Sequence, residues 1–347
     1  MIHEHLNKVL GVCAVVYFFA TAPESRSEVT ALQPYRKVDE VAGQISIATT
    51  SELATLAQSL VEEFRKFYPA VDTQIVTTES NPLLDPEIDV GSLSLVLSHP
   101  MAEQDSGAFE RLHGHPVPGV TIAADAVAIY VHKDNPVKQL TLPQADAIFS
   151  DDRRCGYKTK IRTWKDLGFS GEWATRDVLL FGSAEGTETS RYFRQVALCG
   201  GAYKGTLTEL APGAAASRAI EQSIYGIGFA SSTANTPGVR AVPIARKGTD
   251  SIAIGQWLIE SHGIPTPDTE AFEPTADNVR LGKYPLARAV YFYVPADLVS
   301  ADSQPAVEFV RLTLSQDGQA HVSALGFILV PAGIAQDGLR KLGLDRD

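Results

Sequence analysis

The alternation of apolar and polar residues becomes regular at Ile45-Ser46-Ile47, which has the period of a short strand. After the hydroxyl-rich turn Thr49-Thr50-Ser51, Leu53, Leu56, Leu60, Phe64 and Phe67 fall on one helical face until Pro69 stops the helix. Ser or Thr at that start is a favourable N-cap. Val71 to Val76 reads as the next strand, so this stretch predicts an α/β unit of strand, turn, helix and strand.

The same alternation of elements continues along the chain. Ser92 to Ser98 and Ala126 to Val131 read as buried strands, and Leu142 to Phe149 as a short helix. Val178 to Phe181 predicts a strand, followed by the loop Gly182 to Glu188 and a helix bearing Tyr192, Phe193 and Val196. Tyr225 to Phe229 and Val290 to Val294 are further strands, and Pro305 to Leu314 and Gln316 to Leu325 are helices with an apolar face. There are no internal repeats, and the fold class is α/β.

The N-terminus has a different pattern. Lys8 precedes an apolar run from Val9 to Ala22, and Ala20-Thr21-Ala22 fits a small-x-small cleavage signal. The run is shorter than the span of about 20 residues a transmembrane helix needs, so residues 1–22 are expected to be a cleaved signal peptide and the protein periplasmic. Residues 23–43 are polar and mixed, and are expected to form a flexible lead-in.

At 347 residues, with 44% hydrophobic and 20% charged, the chain exceeds one typical core, and two lobes are expected. Its formal net charge of −11 argues against nucleic-acid binding and means that an anion site must rely on local donors. Cys13 lies in the apolar run, while Cys155 and Cys199 lie in the body and are either paired or separate thiols.

Several stretches resemble the phosphate-binding proteins of the type II periplasmic-binding fold, the binding subunits of phosphate ABC transporters. They are Ala124-Asp125-Ala126-Val127-Ala128-Ile129-Tyr130-Val131, Lys133-Asp134-Asn135-Pro136, Leu140-Thr141-Leu142-Pro143-Gln144, Ile148-Phe149-Ser150 and Trp164-Lys165-Asp166-Leu167-Gly168. Gly282-Lys283-Tyr284-Pro285-Leu286-Ala287-Arg288, Tyr291-Phe292-Tyr293-Val294, Gly318-Gln319 and Gly326-Phe327 continue the series in order. The resemblance runs from about residue 44 to the C-terminus. It implies lobe one at about 44–128 and 289–347, lobe two at about 129–288, a two-strand hinge, and a ligand cleft between the lobes. It also implies capture of phosphate or a related oxyanion, a membrane permease as partner, and action as a monomer without enzymatic activity or cofactor.

The resemblance places the ligand-binding positions at Thr49 and Thr50 in the first loop, Ser80 in the second, Ser98 at a strand end, and Ser183, Thr187 and Thr189 in the fourth loop. Hydroxyls and helix-start N–H groups suit a dehydrated anion, because they bring donors and a favourable dipole. Plain N-capping explains the hydroxyls at the first helix start equally well. The chain departs from the family pattern at four points. His99 replaces an Arg and is expected to be structural or solvated; Ser183 stands where the phosphate Arg belongs; Glu188 replaces a glycine and would repel an anion. Ser94 or Leu93 stands where many members carry an Asp, and Arg191 is expected to form a surface pair with Glu188 or Glu185. These departures motivate an alternative, a binding or signalling module that has changed or lost its ligand. A hydrolase reading finds no Gly-x-Ser-x-Gly elbow and no His-Glu-x-x-His motif, and His113-Gly114-His115 lacks the further ligands of a metal site.

Overall fold

The computed structural model describes residues 32–38, 41–101, 103–246, 269–294 and 303–344. The expected signal peptide lies outside the described residues. In chain order the first elements are β1 (Gly43–Thr50), α1 (Ala54–Phe67), β2 (Val71–Thr78), β3 (Leu95–Ser98), α2 (Glu103–His113), β4 (Gly119–His132), β5 (Leu140–Thr141) and α3 (Leu142–Phe149). They are followed by β6 (Leu179–Ser183), α4 (Glu188–Ala197), β7 (Leu207–Leu210), α5 (Ala215–Glu221), β8 (Gly226–Ser231), β9 (Val239–Ala241), β10 (Ile244–Ala245) and β11 (Ala271–Phe272). The last are α6 (Ala276–Arg280), β12 (Ala287–Tyr293), α7 (Gln304–Thr313), α8 (Gln316–Ala324) and α9 (Ala332–Lys341).

A nine-stranded sheet runs in the order β2-β1-β3-β12-β4-β8-β6-β7, with β9 also paired to β4. At one end β1 pairs in parallel with β2 and β3, and at the other β6 pairs in parallel with β7 and β8. The antiparallel pair β4 and β12 joins these two halves. β4 is long enough to serve both: Gly119 to Ala126 pairs with β12, and Val127 to Val131 pairs with β8. The result is the type II periplasmic-binding architecture of two α/β lobes.

The core divides where those strands pass between the halves. One apolar cluster takes Val120, Ile122 and Ala123 from β4 and Val290 and Phe292 from β12, and packs them on Leu56, Leu60 and Phe64 of α1 and Phe309 of α7. A second takes Ala124, Ala126, Val127, Ile129 and Val131 from β4 and Ala287 from β12, and packs them on Phe149, Trp164, Phe193 and Phe229. Phe193 and Phe229 stack with ring centroids 4.1 Å apart, which fixes α4 on the sheet.

Three sequence expectations change. The N-cap of α1 is Leu53, which makes no side-chain cap, so the hydroxyls of Thr50 and Ser51 serve elsewhere. Part of the expected flexible lead-in is tied down. The Tyr35 N–H donates to Asp317 Oδ2 at 2.6 Å, its hydroxyl donates to Glu308 Oε2 at 2.7 Å, and its ring meets Phe67 edge-on at 5.0 Å. The two readings of the body cysteines resolve to a Cys155–Cys199 disulfide, with Cα atoms 5.5 Å apart.

Candidate functional site

The strands deliver polar side chains to the region where the two apolar clusters meet. β1 ends at Thr50 and β3 at Ser98, with His99 next in the chain; Asp125 lies on β4 and Arg288 opposite it on β12. α4 begins directly after Thr187, whose Oγ1 accepts the N–H of Ser190 at 3.2 Å and so caps the helix. Its first residue, Glu188, therefore leaves the helix start toward β1 and β3 and is only 6% exposed.

Glu188 is the acceptor at the centre. Ser98 Oγ donates to its Oε1 at 2.5 Å, Thr50 Oγ1 donates to its Oε2 at 3.2 Å, and His99 Nδ1 reaches Oε2 at 2.7 Å. The other face of the His99 ring meets Asp125: Nε2 lies 3.3 Å from Oδ1, close enough for an ion pair but without hydrogen-bond alignment. Arg288 grips Asp125 in a fork, with Nε to Oδ1 at 2.7 Å and Nη2 to Oδ2 at 2.9 Å. Its Nη2 also donates to Thr189 Oγ1 at 3.0 Å and lies 3.5 Å from Glu52 Oε2. Glu52 in turn accepts the N–H of Thr189 at 2.9 Å and its hydroxyl at 2.6 Å. Arg288 Nη1 is buried and makes no hydrogen bond among the described residues.

Of the expected ligand positions, Thr50, Ser98 and Thr189 come together in this cluster. Thr49 does not, because its hydroxyl donates to Leu97 O at 3.0 Å within the sheet. Thr187 serves as the cap of α4, and its hydroxyl donates to Ala184 O at 2.9 Å. Ser80 is half-buried and its carbonyl accepts the Thr78 hydroxyl at 2.5 Å, while Ser183 is buried at the end of β6; neither bonds to the cluster.

The profile of the PBP superfamily domain matches residues 36–315. The phosphate-binding protein PstS of Pseudomonas aeruginosa is 34% identical over 349 residues, spanning 97% of this chain and 100% of that one. The chain belongs to the PstS family of the PBP superfamily. Solved structures agree on the fold of this PstS-family chain. An ABC-type phosphate transport receptor from Vibrio cholerae has a TM-score of 0.58 at 18% identity, covering 82% of this chain and 100% of that one. PstS from Borrelia burgdorferi has a TM-score of 0.52 at 13% identity, covering 83% and 98%.

Electrostatics explain why so many charges tolerate burial in this family member. Burial and the nearby Arg288 both pull the His99 pKa down, but Asp125 and Glu188 outweigh them and push it up to about 9. Burial alone would raise Asp125, yet Arg288 and His99 hold it well below the usual carboxylate range. Glu188 is likewise lowered against its burial, chiefly by His99. The imidazole is therefore a cation between two carboxylates.

Several sequence expectations are corrected here. His99 is not solvated; it bridges Glu188 and Asp125. Arg191 does not pair with Glu185, which instead meets Arg194 at 2.8 Å, and Glu188 turns inward. The site arginine is Arg288, brought by β12, and its carboxylate is Asp125 on β4; both stand inside motifs that carry the family resemblance without being marked as ligand positions. Ser94 accepts the Ser46 N–H at 3.2 Å and has a sheet role. Glu52, which follows the hydroxyl-rich turn, is a site residue that its local sequence does not mark. His113 stacks on Phe109 at 4.2 Å, a packing contact. Among the described residues, Glu52, His99 and Glu188 form a group that could hold a metal ion, with ligand atoms within 4.8 Å of one another. In the structure those atoms are engaged with hydroxyls, an N–H group, Arg288 and each other.

Proposed function

We propose that this chain captures phosphate, or a related oxyanion, in the cleft between its lobes and delivers it to an ABC importer in the membrane. The lobes are taken as residues 44–128 with 289–347, and 129–288. The observation that carries the reading is the convergence of Thr50, Ser98, Thr189 and Arg288 on one buried site in a chain 34% identical to a PstS along nearly its whole length. These are the donors an oxyanion needs: three hydroxyls, and a guanidinium with Nη1 still to be satisfied. An anion bound there would touch both lobes and favour the closed state that a permease reads. The protein acts outside the cytoplasm as a monomer, without catalysis and without nucleic acid. Among the described residues no helix is long and apolar enough to cross a membrane, which suits a partner of a separate permease.

Titration calorimetry with inorganic phosphate on the purified protein tests the reading. Saturable heat is expected, with affinity weakened severalfold in Thr50→Val; no heat at millimolar phosphate with the wild-type protein and with the Glu188 variants described below would overturn it. A changed ligand is a second reading, and the Glu188 carboxylate standing on the hydroxyls of Thr50 and Ser98 favours it. Sulfate and organic phosphates in the same titration separate the two.

A further inference from the structure

Building on the oxyanion reading above, we infer that Glu188 is an internal ligand of the cleft. Its carboxylate holds the anion position, links the two lobes, and must swing out before an external oxyanion enters.

The case starts from what the carboxylate touches. Glu188 belongs to the lobe of α4, whose Phe193 is in the second apolar cluster. Its three partners, Thr50, Ser98 and His99, stand at the ends of β1 and β3, whose Ile47 and Leu97 are in the first. One side chain therefore makes the cross-lobe bridge that a bound anion would make. A carboxylate and a phosphate present the same chemistry to a hydroxyl or an imidazolium, delocalised anionic oxygen, so Thr50, Ser98 and His99 cannot fully serve both.

Charge points the same way. The cluster holds three carboxylates, Glu52, Asp125 and Glu188, against two cations, Arg288 and His99. A further anion beside a seated Glu188 would meet a like charge inside a buried site, where water screens the repulsion poorly. Exchange is favoured over double occupancy. Glu52 makes a second tie, through both the N–H and the hydroxyl of Thr189, so Glu188 is one of two carboxylates that link the lobes and its departure loosens the closed arrangement. The apparent affinity for the external anion is then its intrinsic affinity reduced by the fraction of time Glu188 is out.

Glu188→Ala removes the internal ligand, and Glu188→Gln removes its charge while keeping its shape and its capacity to accept a hydroxyl. Calorimetry with inorganic phosphate is run on all three proteins, and small-angle scattering on each in phosphate-free buffer. The expected result is binding at least about tenfold tighter in Glu188→Ala than in wild type, since an internal ligand seated most of the time lowers affinity by that order. Glu188→Gln should fall between them. Scattering should show a larger radius of gyration for phosphate-free Glu188→Ala than for wild type. Variants that bind phosphate no more tightly than a wild type that does bind would overturn the inference and leave the phosphate reading standing. If none of the three binds phosphate, the phosphate reading fails, and scattering decides the inference: an unchanged radius overturns it, and an expanded one supports Glu188 as the bridge. Glu188→Gln covers the case in which Glu188→Ala does not fold.

Discussion

Arg288 and Asp125 are direct register partners on β12 and β4, and their side chains meet as a buried fork of 2.7 and 2.9 Å. The pair sits between the two apolar clusters, at the point where both strands pass from one lobe to the other. A guanidinium that is only 2% exposed survives there because Asp125, Glu52 and Thr189 all face it and the Tyr192 ring lies 5.8 Å from it.

Breaking this pair should cost far more than a surface ion pair. Arg288→Met leaves Asp125 and Glu52 buried without their guanidinium, and such a loss typically costs about 3–5 kcal/mol. Urea unfolding should show a fall of that size. A loss below about 1 kcal/mol would mean that the site is wetter than its burial implies.

The pH dependence of stability follows from His99. Its pKa is raised from 6.5 to about 9 in the folded protein, so the stability it lends is fully present below pH 6.5 and is lost as pH rises through about 9. Asp125 and Glu188 are lowered, so their contribution is present above the ordinary carboxylate range and is lost as pH falls below it. Lys204 works against His99. Burial lowers its pKa from 10.5 to about 8, so its contribution improves between those values. Comparing wild type with His99→Gln cancels the lysine: the stability difference should shrink steadily from pH 6.5 to pH 10. A difference that does not change with pH would show that His99 carries no proton at neutral pH.

Thr49 and Thr50 are neighbours with opposite assignments. Thr50 faces Glu188, whereas Thr49 bonds to Leu97 O inside the sheet. Thr49→Val should lower stability by about 1 kcal/mol with phosphate affinity unchanged, and Thr50→Val should weaken phosphate binding severalfold. Melting temperature and calorimetry on both variants check the split, and equal effects on affinity would contradict it.

The disulfide closes a sequence separation of 44 residues, and chain-entropy reasoning gives such a bridge about 4 kcal/mol. The Cys155→Ser, Cys199→Ser double variant should unfold at correspondingly lower urea. The wild type in strong reductant should match it.

Gly182 supports the site from below. A Cβ there would come within 2.3 Å of the Phe229 ring, which stacks on Phe193 of α4. Gly182→Ala should cost about 1–3 kcal/mol through overpacking and should disturb Glu188 along with α4. Denaturant unfolding and the near-ultraviolet spectrum report both effects.

Local patterning was enough for many of the elements and their order, although it missed α2, β7, α5 and α9. Apolar residues at helical and strand periods fixed α1, β1, β2 and β12, because burial of an apolar face depends on local spacing. The family resemblance marked Thr50, Ser98 and Thr189, but equally Thr49, Ser80, Ser183 and Thr187, which do not join the cluster. What those hydroxyls face depends on the folded arrangement of distant strand ends. Glu188 lies 138 residues from Thr50 and 90 from Ser98, and Arg288 lies 163 from Asp125. Contacts of that range leave no local pattern, since they arise when sheet register brings separate strand ends together. Taken alone, Glu188 reads as a charge that repels an anion. Once folded against Thr50, Ser98 and His99, it becomes the anion that those donors hold.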